Sequence, residues 1–440
     1  VKLSVAPLKH LLTMALIVST SPACKSRNAL EDDSFAKASD GNFKLTETEE
    51  KILDLYKMRD FYNQLKAEEK QEILERFIYA ADSVHLITGK ALEKLGNADS
   101  ESKVKGLAQA FQTYRSEFFR TEGLLRIYRK IDKYKPFLAP LFTNELKTGL
   151  GKDFGIKQME DALGKFGEAN MNLEFATKLN ASPSALQGLS QIKASAYETL
   201  KKLMLKDWIT DGSGRIPYFS RLFSTLETNR AKLLDNQSDN VQVVEIFSDE
   251  LKDFNESELD YNDLEDGFHE LRRNLRWIPI LIVSFDGLIL PDLKSIDSGV
   301  SEYNEIMKLD SVTKGKYFIA LKMMRRPKAF KKIPISLFAA ASYYAEQIGY
   351  VKDIWQNYHA LVQAYISSNN MDHSTAEIAV KDLFVKAGYR ETPYSPGLVK
   401  DLAATKPLIL LDFPPLGRAI DEVTKGKQKN IFKKINAAIK

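Results

Sequence analysis

The sequence predicts an all-α body of two helical-bundle subdomains that follow a flexible N-terminal tether. Three observations lead there. Apolar residues recur at spacings of three and four from Ile52 onward: Ile52, Leu53, Leu55, Tyr56, Phe61 and Leu65, then Ile73, Phe77, Ile78, Ala81 and Leu86. Helix-start signals stand in front of such runs, as in Thr46 to Glu49, which has capping-box spacing, and in Ser182-Pro183, which sets a cap before a proline at the first helical position. Alternation of period two is confined to brief pieces such as 241–246 and 407–411, too few for a sheet to organise the chain.

The elements divide into five stretches. Residues 1–23 read as an export signal: Lys2 and Lys9 supply positive charge, 11–18 form a short apolar core, and Ser21, Pro22 and Ala23 are small or turn-forming. The apolar run is shorter than the roughly 20 residues that span a bilayer. Cys24 follows at once, and it is the chain's single cysteine. The Ala23-Cys24 junction resembles the cleavage site of bacterial lipoproteins. That resemblance implies an acylated Cys24 as the mature terminus, with several acyl chains holding the body to a membrane. Lys25 after the cysteine, by the same resemblance, implies the outer membrane rather than the inner one. An ordinary secretory signal ending Ser-Pro-Ala is the alternative.

Residues 24–44 are small, polar and charged without apolar period, and form the tether. A first helical subdomain is expected over 45–215 and a second over 260–440. The connecting segment, 216–259, is marked by Asp211-Gly212-Ser213-Gly214 before it and the polar run 236–240 within it. Each half carries an arginine-rich helix followed later by a glycine in an apolar helical context, so a pseudo-symmetric relation between the halves is expected. The stretch 277–290 is the most apolar later segment, but Pro279 and Asp286 interrupt it, and a buried helix or turn is expected there.

The chain holds 63 basic and 59 acidic residues. Losing Lys2 and Lys9 with the leader brings it close to neutral, which speaks against nucleic acid as a partner. One cysteine forms no internal disulfide, so stability must come from buried apolar area, for which 440 residues are ample.

The densest candidate for chemistry is the helix around His269-Glu270-Leu271-Arg272-Arg273-Asn274-Leu275-Arg276. At 3.6 residues per turn, His269, Arg272, Arg273 and Arg276 share an arc of roughly 100°. Leu264, Phe268, Leu271, Leu275 and Ile278 fall on a separate arc that faces the core. Guanidinium groups so spaced grip phosphates or carboxylates through paired hydrogen bonds. The bland alternative is a salt-bridged surface, because Glu265, Asp266 and Glu270 stand three or four positions from these cations. His269-Glu270 also begins like a zinc-protease helix, but Arg273 stands where the second histidine belongs, so no metal site is expected. His10, His85, His359 and His373 are scattered singly.

This helix resembles the signature of the CHAD (conserved histidine α-helical domain) family. The resemblance implies two pseudo-symmetric helical bundles around a basic groove that binds inorganic polyphosphate. The family's later leucine-glycine motif is matched by Ile348-Gly349-Tyr350-Val351-Lys352-Asp353. A fainter echo lies in the first half, where Arg115, Arg126, Arg129 and Lys133 share a helical face ahead of Leu163-Gly164-Lys165-Phe166-Gly167-Glu168. The resemblance covers most of 105–400, and the anion-binding set it suggests is His269, Arg272, Arg273 and Arg276 with Arg126 and Arg129.

Further basic stretches are Lys322, Arg325, Arg326, Lys328, Lys331 and Lys332 around Pro327, and a lysine-rich C-terminal tail whose Ile431, Phe432, Ile435 and Ile439 form an apolar side. The tail is expected to dock on the body, with an amphipathic membrane-surface helix as the alternative. Tyr343, Tyr344, Trp355 and Tyr358 at helical spacing are expected in the core. No nucleophile with a matching base and no phosphate-binding glycine loop is recognisable; Gly151-Lys152-Asp153-Phe154-Gly155 lacks the threonine or serine such a loop needs. No catalytic residue and no cofactor is expected. The sequence therefore points to an envelope lipoprotein whose helical body binds a phosphate-rich or other polyanion. The alternative is an assembly lipoprotein that holds a protein partner and has no small-molecule site.

Overall fold

The computed structural model describes residues 72–142, 155–208, 216–233, 236–293, 300–322, 330–392 and 409–440. The leader, Cys24, the tether and the helix signals before residue 72 lie outside these residues, as do most of the basic stretch around Pro327 and all of the 151–155 segment except Gly155.

The chain is all-α. Helix α1 (Glu72–Leu95) buries Ile73, Phe77, Ile78, Ala81 and Val84 along the predicted stripe. Asp99 caps α2 (Ser100–Thr113) by accepting a hydrogen bond from the Ser102 amide at 2.9 Å. After a break at Tyr114 follow α3 (Arg115–Tyr128) and α4 (Lys135–Phe142). Next come α5 (Ile156–Lys178) and α6 (Pro183–Leu203), the latter opened as expected by Ser182, whose hydroxyl accepts from the Ala185 amide at 3.3 Å. A π-helical turn, Met204–Trp208, ends α6 by burying Trp208 flat against Tyr218, with ring centroids 4.3 Å apart.

Helices α7 (Pro217–Thr228) and α8 (Asn236–Glu256) occupy the stretch expected to be a connector. The 241–246 piece that reads as strand lies inside α8. Its β-branched Val241, Val243, Val244 and Ile246 imitate alternation, but burial of Val243, Val244, Phe247, Leu251 and Phe254 follows the helical period, and packing overrides local propensity. The polar run 236–240 is likewise the first turn of this helix rather than an interruption.

A second π-helical turn, Leu264–His269, leads into α9 (Glu270–Ser284), whose Trp277, Ile278, Pro279, Ile280, Leu281 and Ile282 are buried as a core helix. Short elements follow: β1 (Ile289–Asp292), α10 (Ser301–Ile306), α11 (Asp310–Thr313), α12 (Lys316–Lys322) and β2 (Lys331–Pro334). Strand β1 pairs in parallel with β2, Ile289 opposite Lys331. The long α13 (Ile335–Asn369) and α14 (His373–Lys386) precede a second parallel pair, β3 (Arg390–Thr392) with β4 (Ile409–Leu411), the latter within the 407–411 piece. Helices α15 (Phe413–Lys425) and α16 (Ile431–Ile439) close the chain. Ile431, Phe432, Ile435 and Ile439 of α16 are fully buried against α8 and β2, so the basic tail docks on the body. No helix of the described residues is long and apolar enough to cross a membrane.

One apolar cluster runs through both halves, from Phe77 and Phe118 through Trp208 and Phe247 to Leu275 and Tyr344. A smaller one, with Leu189, Tyr358, Leu361 and Phe384, fills the space between α5, α6, α13 and α14. Tyr343, Tyr344 and Tyr358 are core residues, and Trp355 packs against both clusters. At the centre four helices form a closed ring of contacts: α3 packs on α5 and α9, and α13 packs on the same two.

Candidate functional site

The central ring of helices repeats one arrangement twice. On α3, Arg115 lies across Gly164 of α5, where an added Cβ would stand 2.5 Å from its Nη2. On α9, Arg272 lies across Gly349 of α13, where an added Cβ would stand 2.5 Å from its Nε. Each glycine follows an apolar residue, Leu163 or Ile348, and precedes an acid by four positions, Glu168 or Asp353. A helix surface without a side chain lets a guanidinium lie flat on it, and only glycine provides that surface. The correspondence extends one turn back: Gln112 meets the Cβ position of Gly167, and His269, at the same offset in the second half, lies in the field of Lys352. Gln112 thus stands where the second half has its histidine.

One turn forward the halves differ, and there they touch. Four residues after Arg115 comes Phe119; four after Arg272 comes Arg276. The Arg276 guanidinium carbon sits 4.6 Å above the Phe119 ring centroid, and the Arg115 guanidinium carbon lies 5.3 Å from the same ring. Trp277 approaches Phe119 edge-on at 6.0 Å. A phenyl ring attracts each cation by roughly 0.5–2 kcal/mol, but it also brings two like charges within about 10 Å. At an effective dielectric of about 20 these repel by at least about 1.5 kcal/mol.

Few acids offset this concentration. Glu160 pairs with Arg115 and lies 3.4 Å from the Lys157 ammonium. Arg272 donates its Nε to the Ala345 carbonyl at 3.4 Å, a weak neutral acceptor. Arg276 makes no ion pair among the described residues, and its buried Nε finds no hydrogen-bond partner. Burial pushes its guanidinium down to about 10, with Arg272 and Arg115 acting in the same direction and Tyr317 and Glu160 opposing them, so it remains a cation at neutral pH. One nearby carboxyl is a poor counter-charge: burial and then Glu160 push Glu122 up to about 8. Burial also raises Glu346, against the pull of Lys316 and Arg272.

His269 stands at the edge of this centre. Its Nδ1 meets Glu265 Oε2 at 2.6 Å; burial lowers its pKa, the Glu265 hydrogen bond opposes that, and Lys352 adds to it. Lys352 is itself buried on α13, donates to Gln356 and is lowered by burial against Asp353.

The remaining arginines of the expected set stand apart from this centre. Arg273 is exposed and donates to Glu270 at 2.6 Å. Arg126 is held by Glu250 at 3.0 Å, together with Lys130, and lies over Trp277 at 5.0 Å. Arg129 rests over the Phe142 ring at 4.1 Å. Of the predicted arc, Arg273 is occupied by Glu270 of α9 itself, and Glu250 of α8 occupies Arg126 outside it. His269, Arg272 and Arg276 do come together, and the residue missing from the expected set is Arg115. Aligning the two halves on their apolar-glycine pairs would have found it, since each glycine is crossed by one arginine.

His359 and His373 are exposed, the former beside Trp355 and the latter 3.7 Å from Glu377. Among the described residues no group of three or more histidine, cysteine, aspartate or glutamate side chains is placed to hold a metal ion. Comparison with known proteins finds no matching family model, no matching curated protein and no matching solved structure.

Proposed function

We propose that the protein is an exported lipoprotein, acylated at Cys24 and held on the outer membrane, whose all-α body binds an anionic, phosphate-rich ligand where Arg115, Arg272 and Arg276 converge. The observation that carries the anion reading is Arg276: a half-buried, charged guanidinium beside two others, its buried Nε without a hydrogen-bond partner and with no ion pair among the described residues. Burying a cation without a counter-charge is costly, and an incoming anion would supply the missing partner. Phosphate and carboxylate groups suit the planar fork of arginine through two parallel hydrogen bonds. The arginine-glycine pairs in both halves support the resemblance to the CHAD family, which implies a ligand rich in phosphate. The leader pattern ending at Cys24 supports the anchoring.

Titration calorimetry of the full chain with polyphosphate, over a range of salt, tests the anion reading. Binding that weakens as salt rises, and that an Arg272→Ala/Arg276→Ala double variant loses, is expected. Salt-independent binding, or an unchanged double variant, would refute it. Mass spectrometry of the mature terminus tests the anchor: a diacyl or triacyl Cys24 is expected, and a free thiol there speaks against it.

A second reading, a body that holds a protein partner, draws on the acids that cover Arg126 and Arg273 and on the exposed Ile378 and Val385 of α14. In that case the double variant would bind polyphosphate no less than the parent.

A further inference from the structure

We infer that the centre takes one compact, doubly charged group, of the class of a free phosphate or a terminal phosphomonoester, rather than a run of linked phosphates. This rests on the anion reading above and concerns what shape of anion fits.

A polymer needs a track of unpaired cations spaced along its length. Much of the helix surface that could extend such a track is already matched by carboxylates of the chain itself. Arg126 and Lys130 share Glu250, Lys133 pairs with Asp239, and Arg273 pairs with Glu270. Glu250 and Asp239 are themselves buried, so these pairs are packed into the body rather than loosely laid on its surface. A phosphate chain lying over them would have to displace an acid at each step.

What remains unmatched is a point and not a line. Arg115 and Arg276 converge on one ring, Phe119, at 5.3 and 4.6 Å, and Arg272 adds to the field at Arg276. Glu160 offsets one of these charges. Positive charge concentrated in a small volume favours an anion that carries its negative charge in a small volume. A phosphomonoester or free phosphate approaches a double charge at neutral pH, since its second proton leaves near pH 6. An internal phosphate of a chain carries one charge and places the next beside the acids already named. Three guanidiniums also offer more donors than the two free oxygens of an internal phosphate can use.

Titration calorimetry with the full chain in detergent tests this. The probes are inorganic phosphate, phenyl phosphate and polyphosphates of short and long chain, at fixed ionic strength. Expressed per chain end, affinities should agree within about threefold across all lengths, with one salt slope throughout. Arg126→Gln and Arg273→Gln should leave every value unchanged, whereas Arg276→Gln should lower all of them together. An affinity that climbs tenfold or more with chain length, a salt slope that steepens with it, or a loss of long-chain binding in Arg126→Gln would overturn the inference while leaving anion binding intact. If no phosphate probe binds at any length, the anion reading fails, and this inference with it.

Discussion

Arg272 lies across Gly349 so closely that a Cβ on residue 349 would stand 2.5 Å from its Nε. The same relation joins Arg115 to Gly164.

The colliding atoms in both cases belong to the far end of a flexible side chain, so alanine at these glycines displaces an arginine rather than the backbone. Glycine in a helix interior costs about 0.8–1.0 kcal/mol relative to alanine. Gly349→Ala is therefore expected to melt at the parent temperature or a few degrees above it, while phosphate affinity falls about tenfold, or about 1.4 kcal/mol. Thermal unfolding and calorimetry on the same sample check both halves of this expectation. Gly164→Ala should act alike through Arg115.

Arg276 and Glu250 should behave in opposite ways. Arg276→Ala removes an attraction to Phe119 but also a repulsion from its neighbours, so stability should change by less than about 1 kcal/mol. Its phosphate affinity should drop at least tenfold. Glu250→Ala leaves Arg126 and Lys130 facing each other without their acid, and should destabilise by about 1–3 kcal/mol. Its phosphate affinity should be unaltered. Urea unfolding beside calorimetry separates the two.

Glu122 gives stability a pH dependence whose sign can be worked out. The folded protein holds the Glu122 proton up to about 8, whereas an unfolded glutamate releases it near 4.5. The folded state therefore binds more protons across that window, and stability falls as pH rises through it, by at most about 1.4 kcal/mol per unit. Glu122→Gln should match the parent at the acid end and be more stable at and above about pH 8. Urea midpoints measured across that range report it, and parallel curves for the two proteins would contradict it.

His269 should contribute to anion binding only in acid. Burial moves its pKa below the ordinary 6.5, and Lys352 works in the same direction. Any rise in phosphate affinity from its protonation should therefore begin below that value. His269→Gln should abolish the acid rise and leave affinity at neutral pH unchanged, as a pH series of titrations would show.

The helical architecture was legible because burial follows the period: Leu271, Leu275 and Ile278 face the core, and Ser182 caps α6 in front of Pro183. The apolar side of α16 favoured docking of the C-terminal tail but fitted a membrane-surface helix as well, and burial against α8 and β2 decides between them. Helix α8 was not legible, since its valines and isoleucine carry the residue types of a strand and only the packed core decides between the two. Within the candidate site, the arc shared by His269, Arg272 and Arg276 followed from spacing alone. Which arginines are free did not. Glu250 lies 124 residues from Arg126 in sequence, and no local pattern announces that it will meet Arg126 and Lys130. Phe119 as a shared platform is hidden for the same reason, because it depends on α3 meeting α9.

The most direct measurement is a crystal structure of the protein grown or soaked with selenate, whose selenium is located by anomalous scattering. A peak is expected within hydrogen-bond distance of the Arg276 guanidinium, shared with Arg115 or Arg272, and lost in Arg276→Ala. Selenate bound only at the C-terminal lysines, or a carboxylate of the chain itself resting on Arg276, would contradict it.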